Sequence, residues 1–276
     1  MDRKTILITG ASSGIGKSTV DYFSRNGWNV AATMRTPEKS NDLAKLDHVK
    51  IYKLDVGDEA SISAAIDSAI KDFGGIDVLL NNAGYGAVGV FEAATTEQIR
   101  KQFDTNVFGV MNVIRHILPH FRKRRAGTIM TVSSVGGQIT FPLYSLYHGT
   151  KWAVEGFSES LHYELKSFGI KVKLIEPGAI KTDFYSRSQE LFQMEGLTDY
   201  DHYLKVAFEN TQRFGDTAPG PEVVAKKIFQ AASDNSWRLR YSIGSHAPFL
   251  LVLRRIIPNK AFFGIVKSIV EKGLQG

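Results

Sequence analysis

The sequence predicts a doubly wound α/β domain, a parallel sheet of about seven strands with helices on both faces. Short apolar runs alternate along the chain with longer amphipathic stretches. The apolar runs are continuous, as in strands buried on both faces. No internal repeat and no Gly/Ser/Pro linker divides the 276 residues, so a single domain spanning 1–276 is expected. A chain of this length buries enough surface to need no staples.

The predicted strands are Thr5–Thr9, Asn29–Thr33, Val49–Leu54, Val78–Asn81, Thr128–Val132, Lys171–Ile175 and Leu239–Ile243. The predicted helices lie near Lys17–Asn26, Glu59–Phe73, Thr96–Lys123, Leu146–Phe168 and Pro221–Ser233. In such sheets ligands bind at the carboxyl ends of the strands, so the loops that follow them are the places to look for chemistry.

The first strand runs directly into Thr9-Gly10-Ala11-Ser12-Ser13-Gly14-Ile15-Gly16, and a helix follows. Gly10 permits a tight turn, Gly14 lets a diphosphate approach the backbone, and Gly16 lets helix and strand pack closely. Free amides at the helix start and the helix dipole favour phosphate there. Strand, turn and helix together make this a dinucleotide-binding signal of the Rossmann type.

The second strand should end near the ribose 2′ position, where a site preferring NAD places an acid. Here Met34 is followed by Arg35. Methionine cannot bond ribose hydroxyls, whereas arginine can fork onto a 2′-phosphate. NADPH is therefore expected over NADH.

Two further residues carry proton chemistry. Tyr147 and Lys151 are four apart on a predicted helix and share a face. An ammonium beside a phenol favours the phenolate, so the tyrosine is expected to titrate below its usual value of about 10. Ser134 follows the fifth predicted strand, where its hydroxyl can bond a substrate oxygen.

With these residues in view, the chain resembles the short-chain dehydrogenase/reductase family, in its compact single-domain branch. The spacing of Thr9 to Gly16 is that branch's TGxxxGxG, and Asn81-Asn82-Ala83-Gly84 matches its NNAG segment. Ser134, Tyr147 and Lys151 match its serine-tyrosine-lysine set, with thirteen residues from serine to tyrosine, and Asn106 matches its helix asparagine. Pro177-Gly178 with Thr182 matches the segment over the nicotinamide. These motifs run in family order from residue 5 to about 182. Tyr147-His148-Gly149-Thr150-Lys151 departs from the frequent Tyr-x-Ala-Ser-Lys but keeps the tyrosine and lysine. His148 reads as a packing residue or a neighbour on the cofactor side.

The resemblance implies hydride exchange between a nicotinamide and a carbonyl carbon. Tyr147 would move the proton, Lys151 would lower its pKa and bond the nicotinamide ribose, and Ser134 would steady the oxygen. Asn106 would hold the helix and a relay water. The implied cofactor contacts are Gly10, Ser12, Ser13, Gly14, Ile15, Gly16, Arg35, Asp55, Val56, Asn82, Ala83, Gly84, Tyr147, Lys151, Pro177, Gly178, Ile180 and Thr182, with Asp55 touching adenine. No metal is required by that scheme. A homodimer or homotetramer is what the family implies.

Substrate contacts are expected from Tyr85, Gln138, Phe141, Leu143, Tyr144 and Phe184, walls rich in apolar and aromatic groups that suit a bulky hydrophobic carbonyl compound. The stretch 183–216 reads as a lid. Residues 247–272 form an apolar extension interrupted by arginine and lysine; it can pack over the pocket, join subunits or lie on a membrane surface. The leading expectation is reversible, NADPH-dependent reduction of a ketone or aldehyde. The alternatives are a hydroxysteroid- or retinol-type dehydrogenase working oxidatively, and a non-catalytic NADP(H) sensor. A sensor should have lost Tyr147 or Lys151.

Composition narrows the field further. Cysteine is absent, which excludes disulfides, thiolate metal sites and thiol chemistry and suits a reducing, cytoplasmic setting. The formal net charge of +6 is modest. The run Arg122-Lys123-Arg124-Arg125 reads as a solvated helix end rather than a nucleic-acid surface, which would want a wider basic face. No secretory or transit signal and no apolar run of membrane-spanning length is read in the sequence.

Overall fold

The structure, a computed structural model, describes residues 3–40, 42–182, 189–216, 218–244 and 247–274. In chain order its main elements begin β1 (Thr5–Ile8), α1 (Gly14–Arg25), β2 (Asn29–Met34), β3 (Val49–Lys53), α2 (Glu59–Phe73), β4 (Val78–Asn81) and β5 (Gly86–Val88). They continue α3 (Thr96–Phe103), α4 (Gly109–Arg124), β6 (Gly127–Val132), α5 (Ser145–Lys166), β7 (Ile170–Pro177) and β8 (Gln189–Leu191). The last are α6 (Asp201–Asp216), α7 (Glu222–Ser233), β9 (Arg240–Ile243), α8 (Ala247–Ile256) and α9 (Asn259–Val270).

Seven strands form one parallel sheet in the order β3-β2-β1-β4-β6-β7-β9, as the sequence predicts. Strand order reverses between β1 and β4, whose ends lie side by side with Ile8 opposite Leu80. That switch point opens a crevice at the carboxyl edge.

Alternation of side chains across the pleat explains the two core layers. Leu7, Leu79, Ile129 and Val172 face the helices α2, α4 and α5 through Ile62, Val113, Ile117 and Leu161. Ile6, Ile8, Leu80 and Met130 face α1 and α7 through Val20, Phe23, Val224 and Ile228. Each such side chain contributes roughly 1.5–3 kcal/mol by leaving water. Local signals bound the helices: Asp58 accepts from the amides of Ala60 (3.0 Å) and Ser61 (3.3 Å) to start α2, and Gly74 at φ 78° ends it.

Three features depart from the sequence reading. The helix predicted over Thr96–Lys123 is α3 and α4 joined by a π-helical turn at Asp104–Phe108. A π turn widens the helix by one residue, and the continuous apolar period through it hides the break. A second, two-stranded sheet pairs β5 with β8 in parallel, Gly86 opposite Gln189. Both strands are three residues long, too short to show a period. Finally, β7 runs on to Pro177 at the sheet's carboxyl edge.

Candidate active site

The glycine-rich turn is pinned by polar bonds from the neighbouring strand. Thr9 Oγ1 accepts from the amides of Asn82 and Ala83, both at 3.0 Å. The Asn82 side-chain amide donates to the carbonyls of Thr9 (2.9 Å) and Gly10 (3.0 Å). Gly10 takes φ 66°, and a Cβ there would meet Ala83 Cα at 2.8 Å. A Cβ at Gly16 would meet the Gly10 carbonyl at 2.3 Å. Both positions therefore demand glycine.

Beyond the turn, α1 starts at Gly14, and its N-cap Ser13 makes no side-chain capping bond, which leaves amides at the helix start for an anion. A cleft of about 310 Å³ lies against this helix end, lined by Gly14, Lys17, Ser18, Asp21, Lys181, Thr182 and Pro221. Ser12 is exposed and Ile15 half-buried beside it. An uncapped helix start and two lysines suit a dinucleotide's diphosphate. Gly14 faces Thr182 with space for a methyl, 3.6 Å between Cβ positions. Arg35 is exposed directly after β2, and among the described residues it makes no ion pair. Asp55 and Val56 follow β3; Asp55 Oδ1 accepts from the Gly57 amide at 3.0 Å, and Val56 is buried. Gly178 donates its amide to Ile243 at 2.8 Å and Ile180 is buried, which fixes the segment after β7.

Asn106 lies buried in the π turn between α3 and α4. Its Oδ1 accepts from the Tyr85 amide (3.1 Å), and its Nδ2 donates to the Tyr85 carbonyl (2.8 Å) and Thr150 Oγ1 (3.2 Å). It thereby ties the exposed Gly84 loop to α5. Ser134 opens the turn after β6, where its Oγ accepts from the Gly136 amide at 3.0 Å. Tyr147 and Lys151 share a face of α5, with Lys151 Nζ 5.7 Å from the Tyr147 ring centre and bonded to the Val132 carbonyl at 2.8 Å. The structure thus brings Asn106, Ser134, Tyr147 and Lys151 to the carboxyl edges of β4 and β6.

Their electrostatics correct one expectation. Burial pushes the Tyr147 phenol up to about 12, opposed by a hydrogen bond with Ser134. Burial also pulls Lys151 down to about 8, opposed by the Glu155 carboxylate. The phenol is not lowered as the sequence suggests, because the loss of water disfavours the phenolate and the Lys151 ammonium is bonded to a backbone carbonyl. His148 is buried, which lowers it to about 4 and keeps it neutral. Its ring packs 5.9 Å from Phe141 and 5.7 Å from Tyr144, so it is a packing residue.

The apolar wall is assembled from distant segments. Leu143 and Tyr144 cluster with Val88, Ala207 and Val270, and Tyr147, Tyr203, Phe208 and Val266 pack against them. Leu143 holds φ 70°, an unfavourable conformation for leucine, and its carbonyl accepts from Gly89 at 2.8 Å. Tyr85 joins Ala87, Leu146, Phe192 and Leu197. Phe141 packs with Val135, Ile139 and Ala247. Gln138 does not face the wall: its amide donates to Glu176 Oε1, and its Oε1 accepts from Arg255 at 3.1 Å. A buried carboxylate captures it. Phe184 lies outside the described residues.

Sequence reasoning missed the group that holds this rear face. Glu155 and Glu176 are both buried, and Arg240 Nε lies 2.9 Å from Glu155 Oε2 and 3.4 Å from Glu176 Oε1. Burial and the neighbouring Glu155 raise Glu176 to about 7. Glu155 was discoverable, since it stands one turn after Lys151 on the same face. Glu176 and Arg240 carry no such local signal.

A crevice at a strand-order reversal, beside a half-buried serine, tyrosine and lysine, is the arrangement of an oxidoreductase on a dinucleotide-binding fold. A family profile described as short chain dehydrogenase matches residues 4–191. The chain belongs to that family. It is 39% identical over 278 residues to the uncharacterized oxidoreductase YusZ of Bacillus subtilis, covering 97% of this chain and 99% of that one. It is 42% identical over 207 residues to a 3-ketodihydrosphingosine reductase of Bacteroides thetaiotaomicron, covering 74% and 75%. Retinol dehydrogenase 8 of Bos taurus is 31% identical over 275 residues, covering 94% and 88%. A short-chain dehydrogenase structure from Streptomyces avermitilis superposes with TM-score 0.83 at 31% identity, covering both chains fully (100% and 100%). ElxO with NADP bound superposes with TM-score 0.72 at 30% identity, covering 87% of this chain and 97% of ElxO. A Burkholderia phymatum relative in complex with NAD reaches TM-score 0.79 at 25% identity, covering 92% of each chain.

Proposed function

We propose that the chain is an NADPH-dependent reductase of ketones or aldehydes that takes bulky apolar substrates. The observation that carries this reading is the half-buried set of Ser134, hydrogen-bonded to Tyr147, and Lys151 on the same face of α5 as Tyr147, with the apolar wall packed against Tyr147. When bound, the nicotinamide supplies a hydride for the carbonyl carbon. The Tyr147 hydroxyl donates the proton to the carbonyl oxygen. Ser134 Oγ donates a hydrogen bond to that oxygen as negative charge develops on it. The Lys151 ammonium, held by the Val132 carbonyl, stabilises the phenolate left behind. Asn106 keeps the Tyr85 backbone and α5 in register around the reacting groups.

The turn from Gly10 to Gly16 and the start of α1 hold the diphosphate. Arg35 pairs with the 2′-phosphate, and Asp55 and Val56 border the adenine. Asn82 to Gly84, Pro177, Gly178, Ile180 and Thr182 border the nicotinamide end. Residues 189–216 and 247–272 close the substrate side of a single domain.

NADPH consumption against a panel of ketones, from small aliphatic through aryl to steroidal, tests the reading. Activity should rise with apolar bulk. Tyr147→Phe should lower kcat by roughly 10²–10⁴-fold while NADPH binding, read by fluorescence, stays within a few-fold. Turnover retained in that variant would overturn the proton assignment. Tight NADPH binding with no turnover of any ketone would favour the sensor.

A further inference from the structure

The C-terminal helices α8 and α9 present two unlike faces. Inward, Ala247, Leu251 and Phe262 pack on Val135 and Ile139, just past Ser134. Val266 and Val270 pack in the cluster that holds Tyr144 and Tyr147. Outward, Phe249 is 65% exposed, Val252 55%, Ile256 74% and Phe263 54%. Phe249, Val252 and Ile256 stand at i, i+3 and i+7, so they form one stripe on α8, opposite the buried Ala247 and Leu251.

The charge along this hairpin has one sign. Residues 247–270 carry Arg254, Arg255, Lys260 and Lys267 and no acidic residue. Arg254 lies over the rings of Phe262 (5.2 Å) and Phe263 (5.6 Å), so a cation sits directly beside exposed aromatic surface. Arg254 itself is half-buried, whereas Arg255, Lys260 and Lys267 are exposed, the last 3.7 Å from Glu271, which follows the helix. No helix among the described residues is long and apolar enough to cross a membrane. Single apolar residues on a surface need no explanation, but a contiguous apolar stripe on a hairpin whose charges are all basic does.

We propose that α8 and α9 dock the protein on an anionic lipid surface. Phe249, Val252, Ile256 and Phe263 enter the interface while the exposed Arg255, Lys260 and Lys267 meet headgroup phosphates. Burial of apolar area and attraction to anionic lipid act together in such helices. Docking through the outer face leaves the inner face on the wall beside Tyr147. An apolar substrate dissolved in lipid would then have a short path to the pocket. The docking itself requires no turnover, so it stands or falls separately from the reductase reading.

Co-sedimentation of the full chain with phosphatidylcholine vesicles, with and without phosphatidylglycerol, is the test. The wild type should pellet with the phosphatidylglycerol vesicles, stay in solution with phosphatidylcholine alone, and be released by salt. The double variants Phe249→Ser with Ile256→Ser, and Lys260→Gln with Lys267→Gln, should each lower partitioning at least about tenfold with an unchanged melting temperature. Failure to pellet with phosphatidylglycerol vesicles overturns the proposal. So does pelleting that ignores both variants. Light scattering that shows self-association abolished by the serine variant, without vesicle binding, would assign the face to a second copy instead.

Discussion

The proposed nucleotide side and the proposed substrate side of this molecule are built by different forces. On the nucleotide side, Thr9, Asn82 and Ala83 join two adjacent strand ends by four short polar bonds, and Gly10 and Gly16 permit backbone contact. On the substrate side, Tyr147 rests against residues from α6 and α9 through apolar contact. The first kind of structure is stiff and intolerant of an added atom. The second is a packed surface that accepts a change of shape when volume is conserved. A fold that must bind one constant cofactor and a variable substrate gains from that division.

The largest expected effect sharpens the electrostatic part of the nucleotide side. Arg35→Asp should move the NADPH/NADH ratio of kcat/KM toward NADH by roughly 10–150-fold, the equivalent of one charge-assisted pair. An unchanged ratio would refute the phosphate role of Arg35.

Gly16→Ala probes the stiffness itself. Its Cβ would sit 2.3 Å from the Gly10 carbonyl and 2.6 Å from Asn82 Nδ2. The expected cost is about 1–3 kcal/mol of stability, with loss of NADPH affinity, read by thermal unfolding and fluorescence titration. A variant that binds and melts as the wild type would break the contrast.

On the other side, Phe192→Leu should cost less than about 1.5 kcal/mol although Phe192 is almost fully buried. It should raise KM for a bulky ketone and leave the KM for NADPH unchanged. A shift in the cofactor KM would show that the two sides are not separable.

The smallest effect concerns the carboxylates behind the wall. Glu176 is raised to about 7 by burial and by Glu155, so the folded state holds its proton more tightly than the unfolded chain does. That contribution is complete below the ordinary glutamate value of about 4.3 and is lost as pH rises through about 7. The melting temperature of the wild type should therefore fall relative to Glu176→Gln as pH rises across that window. Parallel curves would assign the proton elsewhere in the cluster.

Much of the nucleotide side was legible in the sequence because its determinants are local. Glycines at fixed spacing, an asparagine pair after β4 and a tyrosine four residues before a lysine each imply a geometry by themselves. The π turn around Asn106 was not legible, since its apolar period continues unbroken through the inserted residue. The pairing of β5 with β8 joins segments about a hundred residues apart, and neither shows a period of its own.

By itself, the sequence determined the parallel sheet, the glycine turn and the shared face of Tyr147 and Lys151. Backbone sterics and helical periodicity act within a few residues, so they can be read from spacing. Tertiary structure alone decided that the Tyr147 phenol is raised rather than lowered, and that Gln138 turns to Glu176 and Arg255. It also decided that Phe249, Val252, Ile256 and Phe263 stay exposed while Ala247, Leu251 and Phe262 turn inward. Burial is a sum over distant segments, and no stretch of chain carries it alone.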